Sequence, residues 1–168
     1  RIHTLTGADL LVAILKAEGI NHVFCFPTTP VLEALARGGV RTLLARQERV
    51  AGNMADGVSR STGGRQLGVF TVQQSAGSEN AFAPIAQSRT DSSPVLFIPG
   101  HPDMDKAGIP PVFDGLANYG ATTKLALRPT APEHIPQHMR MAITALRSGR
   151  PGPVMLEIPT DVAAAEYS

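Results

Sequence analysis

Glu48 is a candidate for acid–base chemistry because of its place in the sequence. It follows the apolar run Leu43 to Ala45, which is typical of a strand, and it precedes a segment with helical spacing. The dipole at a helix N-terminus favours a carboxylate, so one interpretation is that Glu48 only caps the helix. The other is a buried carboxylate that shares a proton with a ligand.

A polar stretch from Gln73 to Asn80 follows another apolar run and is the second candidate region. The amides of Gln73 and Gln74 come first, and small residues, including Gly77, come next. Small residues let a ligand approach the backbone, and amides can hydrogen-bond to its polar edge. The same composition also suits a turn with ordinary helix caps, so the residues alone leave both interpretations open.

Ser75 suggests a different chemistry, that of a serine hydrolase. The sequence around it differs by one glycine from the G-x-S-x-G nucleophile elbow, and it also lies between a predicted strand and a predicted helix. The later residues that could complete a triad are Asp91 or Asp103 with His134 or His138. Gln73 stands at the first glycine of the elbow, where a tight turn needs a small residue, which makes this alternative weaker.

Other kinds of site have no motif in the sequence. There is no G-x-G-x-x-G and no G-K-[ST] loop, so no local segment is predicted to hold a diphosphate. The histidines have no H-E-x-x-H and no carboxylate at ligand spacing, and we predict no metal site. The single cysteine, Cys25, excludes an internal disulfide framework and Cys-rich zinc sites. It fits a reducing compartment, and we expect a cytoplasmic protein.

The composition indicates a globular domain. The chain has 168 residues, of which 43% are hydrophobic and 17% charged, and its formal net charge is +1. A chain of this size can bury most of its unfolded surface without a disulfide or metal. Because the charge is balanced, we expect no basic surface that would bind a nucleic acid. No apolar run approaches 18 residues, so we expect no membrane partner either. Because the first residue is Arg1, we also expect a piece of a longer protein.

Hydrophobic periodicity predicts alternating strands and helices. The predicted strands are 22–26, 40–45, 67–72, 95–98, 122–127 and 154–158. The predicted helices are one that starts at Thr6 and ends at Gly19, followed by 31–37, 49–61, 78–90, 112–119 and 132–147. Thr29 is expected to cap the second helix. The apolar stripe of the third helix is formed by Val50, Met54 and Val58. In the fourth helix, Phe82 shares one face with Ala81 and Ile85.

This alternation predicts a doubly wound α/β fold, with a parallel sheet of about six strands and helices on both faces. We assign residues 1–162 to the domain and 163–168 to a tail or the start of a linker. Ligands of such sheets bind outside the carboxyl ends of the strands. The segments predicted to lie there are Pro27-Thr28-Thr29, Gln47-Glu48 and Gln73 to Asn80.

Several motifs together resemble the pyrimidine-binding, N-terminal domain of thiamine-diphosphate-dependent enzymes, in the acetolactate synthase and benzoylformate decarboxylase group. Residues 48–60 resemble the family stretch E-x-x-A-x-x-M-A-x-G-Y-A-R. Four further segments resemble family motifs in the same order: 23–27, 76–80, 91–100 and 149–162. The resemblance covers roughly residues 4–162, and five motifs in order are far more specific than any one of them.

The resemblance implies thiamine diphosphate as cofactor and a 2-keto acid as substrate, in acetolactate-synthase-like carboligation or in decarboxylation. Glu48 stands where the family glutamate bonds to a pyrimidine nitrogen and favours the tautomer that takes the proton from the thiazolium carbon. The residues expected to wall the pyrimidine and the substrate are Pro27, Thr28, Gln73, Gln74, Gly77 and Asn80.

Two departures from the family pattern limit what the resemblance implies. Ser75 and Ala76 replace the glycine and proline that open the family G-P-G turn, and Gln73 stands about where benzoylformate decarboxylase has an active-site histidine. The substrate is therefore left open.

The family's G-D-G and N-N motif, which holds Mg²⁺ and the diphosphate, does not occur in this sequence. We expect those ligands from a diphosphate-binding domain of the same or another chain in a homo-oligomer, and no activity from this chain alone. A non-catalytic assembly domain is the remaining alternative.

Overall fold

The computed structural model describes residues 4–27 and 29–167, which form seven parallel strands and eight α-helices. The strands are β1 (His22–Cys25), β2 (Arg41–Leu44), β3 (Gly68–Val72), β4 (Val95–His101), β5 (Leu125–Leu127), β6 (Val154–Leu156) and β7 (Ile158–Pro159). The helices are α1 (Gly7–Ala17), α2 (Leu32–Arg37), α3 (Glu48–Ser61), α4 (Ala76–Asn80), α5 (Phe82–Thr90), α6 (Gly115–Tyr119), α7 (Ile135–Arg147) and α8 (Thr160–Ala164).

The strands follow the order β2-β1-β3-β4-β6-β5 across the sheet, and β7 pairs with the end of β4. All of these pairs are parallel, so the carboxyl ends of the strands share one border, which we call the carboxyl edge. Cys25 is in register with Thr71, and Thr71 is in register with Ile98. The segments that leave β1, β3 and β4 therefore emerge side by side, and the sequence predicts this for the segments after β1 and β3.

Two apolar layers enclose the sheet, because successive strand residues point to opposite faces. Val69, Leu96 and Val154 pack with α1, α2, α7 and α8 on one face. On the other face, Phe70 and Phe97 stack with ring centroids 4.5 Å apart and pack with α3, α5 and α6. The predicted doubly wound α/β fold, with helices on both faces, is confirmed.

The start of α1 follows the sequence signal closely. The Thr6 hydroxyl accepts a hydrogen bond from the Asp9 N–H at 3.2 Å, and the Asp9 carboxylate accepts one from the Thr6 N–H at 3.1 Å. This reciprocal capping box satisfies two N–H groups that the helix itself leaves unpaired. None of the described helices combines the length and the apolar composition needed to cross a bilayer.

The single helix predicted over 78–90 is wrong: two helices, α4 and α5, replace it and meet at Ala81. Proline has no N–H, so Pro84 cannot donate to the Asn80 carbonyl as a continuous helix would require. Within α5, Pro84 lies in the first turn, where an N–H has no partner in the helix. Phe82, predicted on the buried face, is 42% exposed.

The buried face of α3 also differs from the predicted stripe. Val50 and Met54 are exposed, and small side chains such as Ala51 and Ala55 face the sheet. Gly52 shows why, since a Cβ there would lie 2.6 Å from Pro84 Cγ and 3.1 Å from a Phe70 ring carbon. The aromatic layer lies so close to α3 that only small residues fit between them.

Three smaller predictions are corrected at the ends of elements. Thr29 does not cap α2, because the helix begins at Leu32 after Val31, without a side-chain capping bond. The predicted strand 154–158 is divided into β6 and β7 at Glu157. The predicted strand 122–127 shortens to β5. The assignment of 163–168 to a tail or the start of a linker stays a prediction; Ala163 and Ala164 lie in α8, and Glu166 forms an antiparallel bridge with Thr6.

Candidate active site

Glu48 is the first residue of α3, at the carboxyl edge, and its side chain is buried, with 7% of the residue exposed. The Asn80 side-chain amide, at the end of α4, donates a hydrogen bond of 2.6 Å to Glu48 Oε2. The residue that caps α3 is Gln47, and its side chain makes no capping bond. The Glu48 carboxylate thus faces another element of the carboxyl edge, in the position expected for contact with a ligand.

Gly77 leaves the second oxygen of this carboxylate open. A Cβ at Gly77 would lie 3.5 Å from Glu48 Oε1 and 2.5 Å from Gln73 Cγ. Any larger residue would therefore displace the Gln73 side chain and cover the carboxylate. The glycine gives Oε1 room for a flat polar partner such as a ring nitrogen, and this is the observation by which the site fits the pyrimidine of a cofactor.

A pocket of about 280 Å³ opens at the carboxyl edge beside this carboxylate region. The residues that line it are Pro30, Gln73, Gln74, Gly100 and Thr160. Gly100 allows the walls of the pocket to lie close together, because a Cβ there would lie 3.1 Å from Pro30 Cδ and 3.4 Å from the backbone nitrogen of Gln74. The two glutamine amides can bond to a polar ligand in either direction, as donor or acceptor.

The loop after β1 contributes Pro27, which is half-buried. The next residue, Thr28, is one of the predicted site residues and lies outside the described residues. The buried Thr29 hydroxyl has no hydrogen-bond partner. The structure thus brings together five of the six predicted wall residues at the ends of β1 and β3, namely Pro27, Gln73, Gln74, Gly77 and Asn80.

Ser75 has the strained backbone of a nucleophile elbow without its partners. It is a non-glycine residue with φ 54° and ψ −106°, at the turn between β3 and α4. Asp91 is paired with Arg60 and ends α5, at the sheet border opposite the carboxyl edge. His134 and His138 lie next to each other at the start of α7. Among the described residues, no histidine or carboxylate hydrogen-bonds to Ser75, so the predicted triad is not assembled.

Two motif residues on α3 have a structural role. Asp56 accepts a hydrogen bond of 2.5 Å from Arg60 and one of 2.9 Å from the Ser88 hydroxyl. Burial by itself would raise the pKa of Asp56, but its hydrogen bonds, that from Arg60 above all, outweigh burial, and the pKa lies below its usual value. Arg60 also bonds to Asp91 at 2.7 Å. These contacts tie α3 to α5, far along α3 from Glu48.

A buried ion pair near the carboxyl edge was missed by sequence reasoning. Arg128 Nε donates to Glu157 Oε2 at 2.6 Å, and the two side chains are only 10% and 2% exposed. Burial raises the pKa of Glu157 to about 7, although the positive charge of Arg128 acts in the opposite direction. The available signal was a glutamate inside the apolar run 154–158; nothing in the sequence pointed to Arg128 as its partner.

Comparison with known proteins gives the same family as the sequence motifs. Residues 5–126 match the family described as "Thiamine pyrophosphate enzyme, N-terminal TPP binding domain". The chain is 36% identical over 166 residues to the acetolactate synthase isozyme 2 large subunit of Escherichia coli, covering 96% of this chain and 30% of that protein.

Two further relatives agree. The acetolactate synthase large subunit of Haemophilus influenzae is 34% identical, over 97% of this chain and 29% of its own length. The probable acetolactate synthase large subunit of Methanocaldococcus jannaschii is 32% identical, over 96% and 28% respectively. The chain thus spans less than a third of the length of these relatives. It belongs to the family of thiamine pyrophosphate enzymes, as their N-terminal TPP-binding domain.

Proposed function

We propose that this chain is the pyrimidine-binding half of a thiamine-diphosphate-dependent enzyme that acts on 2-keto acids, with acetolactate-synthase-like carboligation ahead of decarboxylation. The relatives named acetolactate synthase support the choice of reaction. The observation that carries the proposal is the buried Glu48 carboxylate, with Asn80 bonded to one oxygen and Gly77 leaving the other open.

Glu48 is proposed as the catalytic residue. Its Oε2 is held by the Asn80 amide, and its Oε1 is then oriented to share a proton with a pyrimidine nitrogen. The N-terminus of α3 carries partial positive charge, which stabilises the carboxylate when it is ionised. Bound thiamine diphosphate supplies an electron sink that allows the bond next to a keto group to break or form.

The pocket beside Glu48 is proposed to take the 2-keto acid. Gln73 and Gln74 offer amide N–H groups to the keto and carboxylate oxygens of such a substrate. Gly77 and Asn80 would border the pyrimidine, and Pro27 and Thr28 would close the side next to β1. The volume of the pocket, about 280 Å³, agrees with a small 2-keto acid.

Mg²⁺ and the diphosphate are proposed to be bound by a diphosphate-binding domain of the same or another chain, and this chain alone is then inactive. Within the described residues, no group of three His, Cys, Asp or Glu side chains is arranged to hold a metal ion. We propose that this partner binds a surface beside the site. The exposed apolar side chains near it are Leu44, Val50, Met54 and Phe82.

These four side chains lie on β2, α3 and α5, around the α3 N-terminus that carries Glu48. We propose that the partner domain covers them and completes the site in a homo-oligomer, since exposed apolar clusters mark interaction surfaces. The location proposed for the enzyme is the cytoplasm, which agrees with a lone, buried and unpaired Cys25.

The test is Glu48→Gln in the complete enzyme. Glutamine has nearly the same shape and keeps an oxygen for the Asn80 amide, so the melting temperature should stay close to that of the wild type. It cannot share an acidic proton, so turnover should fall by about 10²- to 10⁴-fold. The measurement is the rate at which the C2 hydrogen of bound thiamine diphosphate exchanges with deuterium, together with the melting temperature.

The matched control is Glu79→Gln, which makes the same change at an exposed position on α4 and should leave exchange unchanged. Unchanged exchange in Glu48→Gln, with a lowered melting temperature, would contradict the catalytic role. That result would favour the alternative of a non-catalytic assembly domain.

A further inference from the structure

Tyr119 is the last residue of α6, and its side chain contacts α4, the helix that carries Asn80. Its side chain is fully buried, with its ring centroid 5.2 Å from that of Phe97 and 5.5 Å from that of Phe82. Its hydroxyl donates a hydrogen bond of 2.5 Å to the backbone carbonyl of Ser78, in the middle of α4. The aromatic contacts fix the position of the ring, and the ring fixes the position of the hydroxyl.

The sequence of α4 itself gives this helix little local stability. The helix has five residues, follows the strained Ser75 and has no side-chain capping bond at its start. It cannot extend into α5, because Pro84 has no N–H to donate to the Asn80 carbonyl. So short a helix has little stability of its own, and its position depends on tertiary contacts. The Tyr119 bond is a direct tie between α4 and the aromatic layer of the core.

The position of α4 in turn sets the position of Asn80. Asn80 is two residues beyond Ser78 and donates to Glu48 Oε2 at 2.6 Å. We propose that Tyr119 is a positioning residue of this enzyme: its hydroxyl fixes α4, and α4 holds the Asn80 amide that orients the Glu48 carboxylate. The inference rests on the proposed function of Glu48.

The Tyr119 hydroxyl keeps its proton, so it can always donate this hydrogen bond. Burial, and then the negative charge of Glu157, raises the pKa of Tyr119 above its usual value, so its proton stays in place at any pH at which the enzyme works. The Ser78 carbonyl also accepts the Ala81 N–H at 3.3 Å, and the Tyr119 bond is the shorter of these two. Removing the hydroxyl would release α4 without disturbing the ring contacts.

The first experiment uses Tyr119→Phe in the complete enzyme. A small displacement of a catalytic group costs up to about 10²-fold in rate, so we expect kcat and cofactor C2 exchange to fall together by about tenfold. The KM for the 2-keto acid should change less than twofold, because Tyr119 lines no part of the pocket. One lost hydrogen bond should lower the melting temperature by only about 2–4 °C.

Two control variants separate this role from general stability. Tyr167→Phe deletes the hydroxyl of the second tyrosine, near the end of α8, and should not change kcat. Ser78→Ala removes a buried hydroxyl that has no hydrogen-bond partner and keeps the carbonyl to which Tyr119 donates. In this variant the side-chain amide protons of Asn80, followed in the second experiment, should exchange at the wild-type rate.

The second experiment needs no cofactor and uses this chain alone. In ¹⁵N-labelled chain, the side-chain amide protons of Asn80 should exchange with solvent at least tenfold faster in Tyr119→Phe than in the wild type, and at the wild-type rate in Tyr167→Phe. If Glu48→Gln leaves C2 exchange unchanged, the proposed function fails, and the Asn80 measurement still tests the positioning. Wild-type Asn80 exchange in Tyr119→Phe overturns the inference, whatever happens to kcat.

Discussion

Asn80 and Glu48 are 32 residues apart in the sequence, and the amide of one donates a 2.6 Å hydrogen bond to the carboxylate of the other. Asn80 ends α4, which follows β3, and Glu48 begins α3, which follows β2. The bond therefore joins two crossovers of the sheet at its carboxyl edge. It satisfies one oxygen of a buried carboxylate, and the other oxygen is the one that we propose contacts the ligand.

Asn80→Asp should turn this attraction into repulsion. Two carboxylates at hydrogen-bond distance in a buried site cannot both be ionised without cost, so the variant should lose roughly 2–4 kcal/mol of stability at pH 7. The loss should shrink as the pH is lowered from 7 to 4, because one of the two carboxylates then takes up a proton. Urea unfolding at pH 4, 5 and 7 measures it. Asn53→Asp, the same change at an exposed position of α3, should cost less than about 0.5 kcal/mol at every pH.

Gly77→Ala should reduce cofactor binding while the fold survives. The new methyl group would lie 2.5 Å from Gln73 Cγ and 3.5 Å from Glu48 Oε1. The long Gln73 side chain can move aside, so the melting temperature should drop only slightly, but the face of the carboxylate is then covered. We expect the complete enzyme to bind thiamine diphosphate at least about tenfold more weakly, a difference of about 1.4 kcal/mol in calorimetry.

Gly57→Ala is the matched control for this change. Gly57 lies in α3, and a Cβ there meets no atom within 4 Å. Alanine should stabilise the helix by about 1 kcal/mol and leave cofactor binding unaltered. Equal cofactor affinity in the Gly77 and Gly57 variants would show that Gly77 is not part of the cofactor site.

Ser75→Gly should stabilise the protein. Ser75 has φ 54° and ψ −106°, a conformation that costs a residue with a Cβ about 1–3 kcal/mol and glycine much less. Part of this gain is offset by the greater backbone entropy of glycine in the unfolded chain, so the net change expected in urea unfolding is about 0.5–2 kcal/mol. Ser61→Gly, at the end of α3, should have the opposite sign. A less stable Ser75→Gly variant would show that the Ser75 side chain stabilises the turn.

Because the pKa of Glu157 is raised in the folded state, the free energy of unfolding should fall as the pH rises from about 4.5 to 7. Its pKa in the folded state is raised to about 7, so between the unfolded value of 4.5 and 7 the folded state binds more protons. Its contribution is complete below about pH 4.5 and is lost as the pH rises through 7. Glu157→Gln should remove this dependence, so the difference in unfolding free energy between variant and wild type should change by up to roughly 3 kcal/mol from pH 4.5 to 8.

The control for Glu157 is Glu133→Gln, since Glu133 is exposed in the turn before α7. Its difference from the wild type should stay constant over the same pH range. If the Glu157→Gln difference is equally constant, the pKa of Glu157 is not raised in the folded protein.

The sequence by itself determined the order and type of most elements and the border of the sheet at which chemistry is expected. Strands such as 68–72 and 95–98 are short, apolar and bounded by turns, and Thr6 with Asp9 forms a local capping signal. These features depend on neighbours within a few residues, so periodicity and spacing are enough to predict them. The family resemblance, which rests on five spaced motifs, is confirmed by the match over residues 5–126.

Only the tertiary structure decided which face of α3 is buried and which groups meet. Val50 and Met54 have the apolar spacing of a core face, but the closeness of Phe70 and Pro84 admits only small side chains there. The Glu48–Asn80, Tyr119–Ser78 and Arg128–Glu157 contacts join residues 29 to 41 positions apart. A hydrogen bond across such a separation depends on how helices pack on the sheet, and packing is a property of the whole fold that no local pattern records.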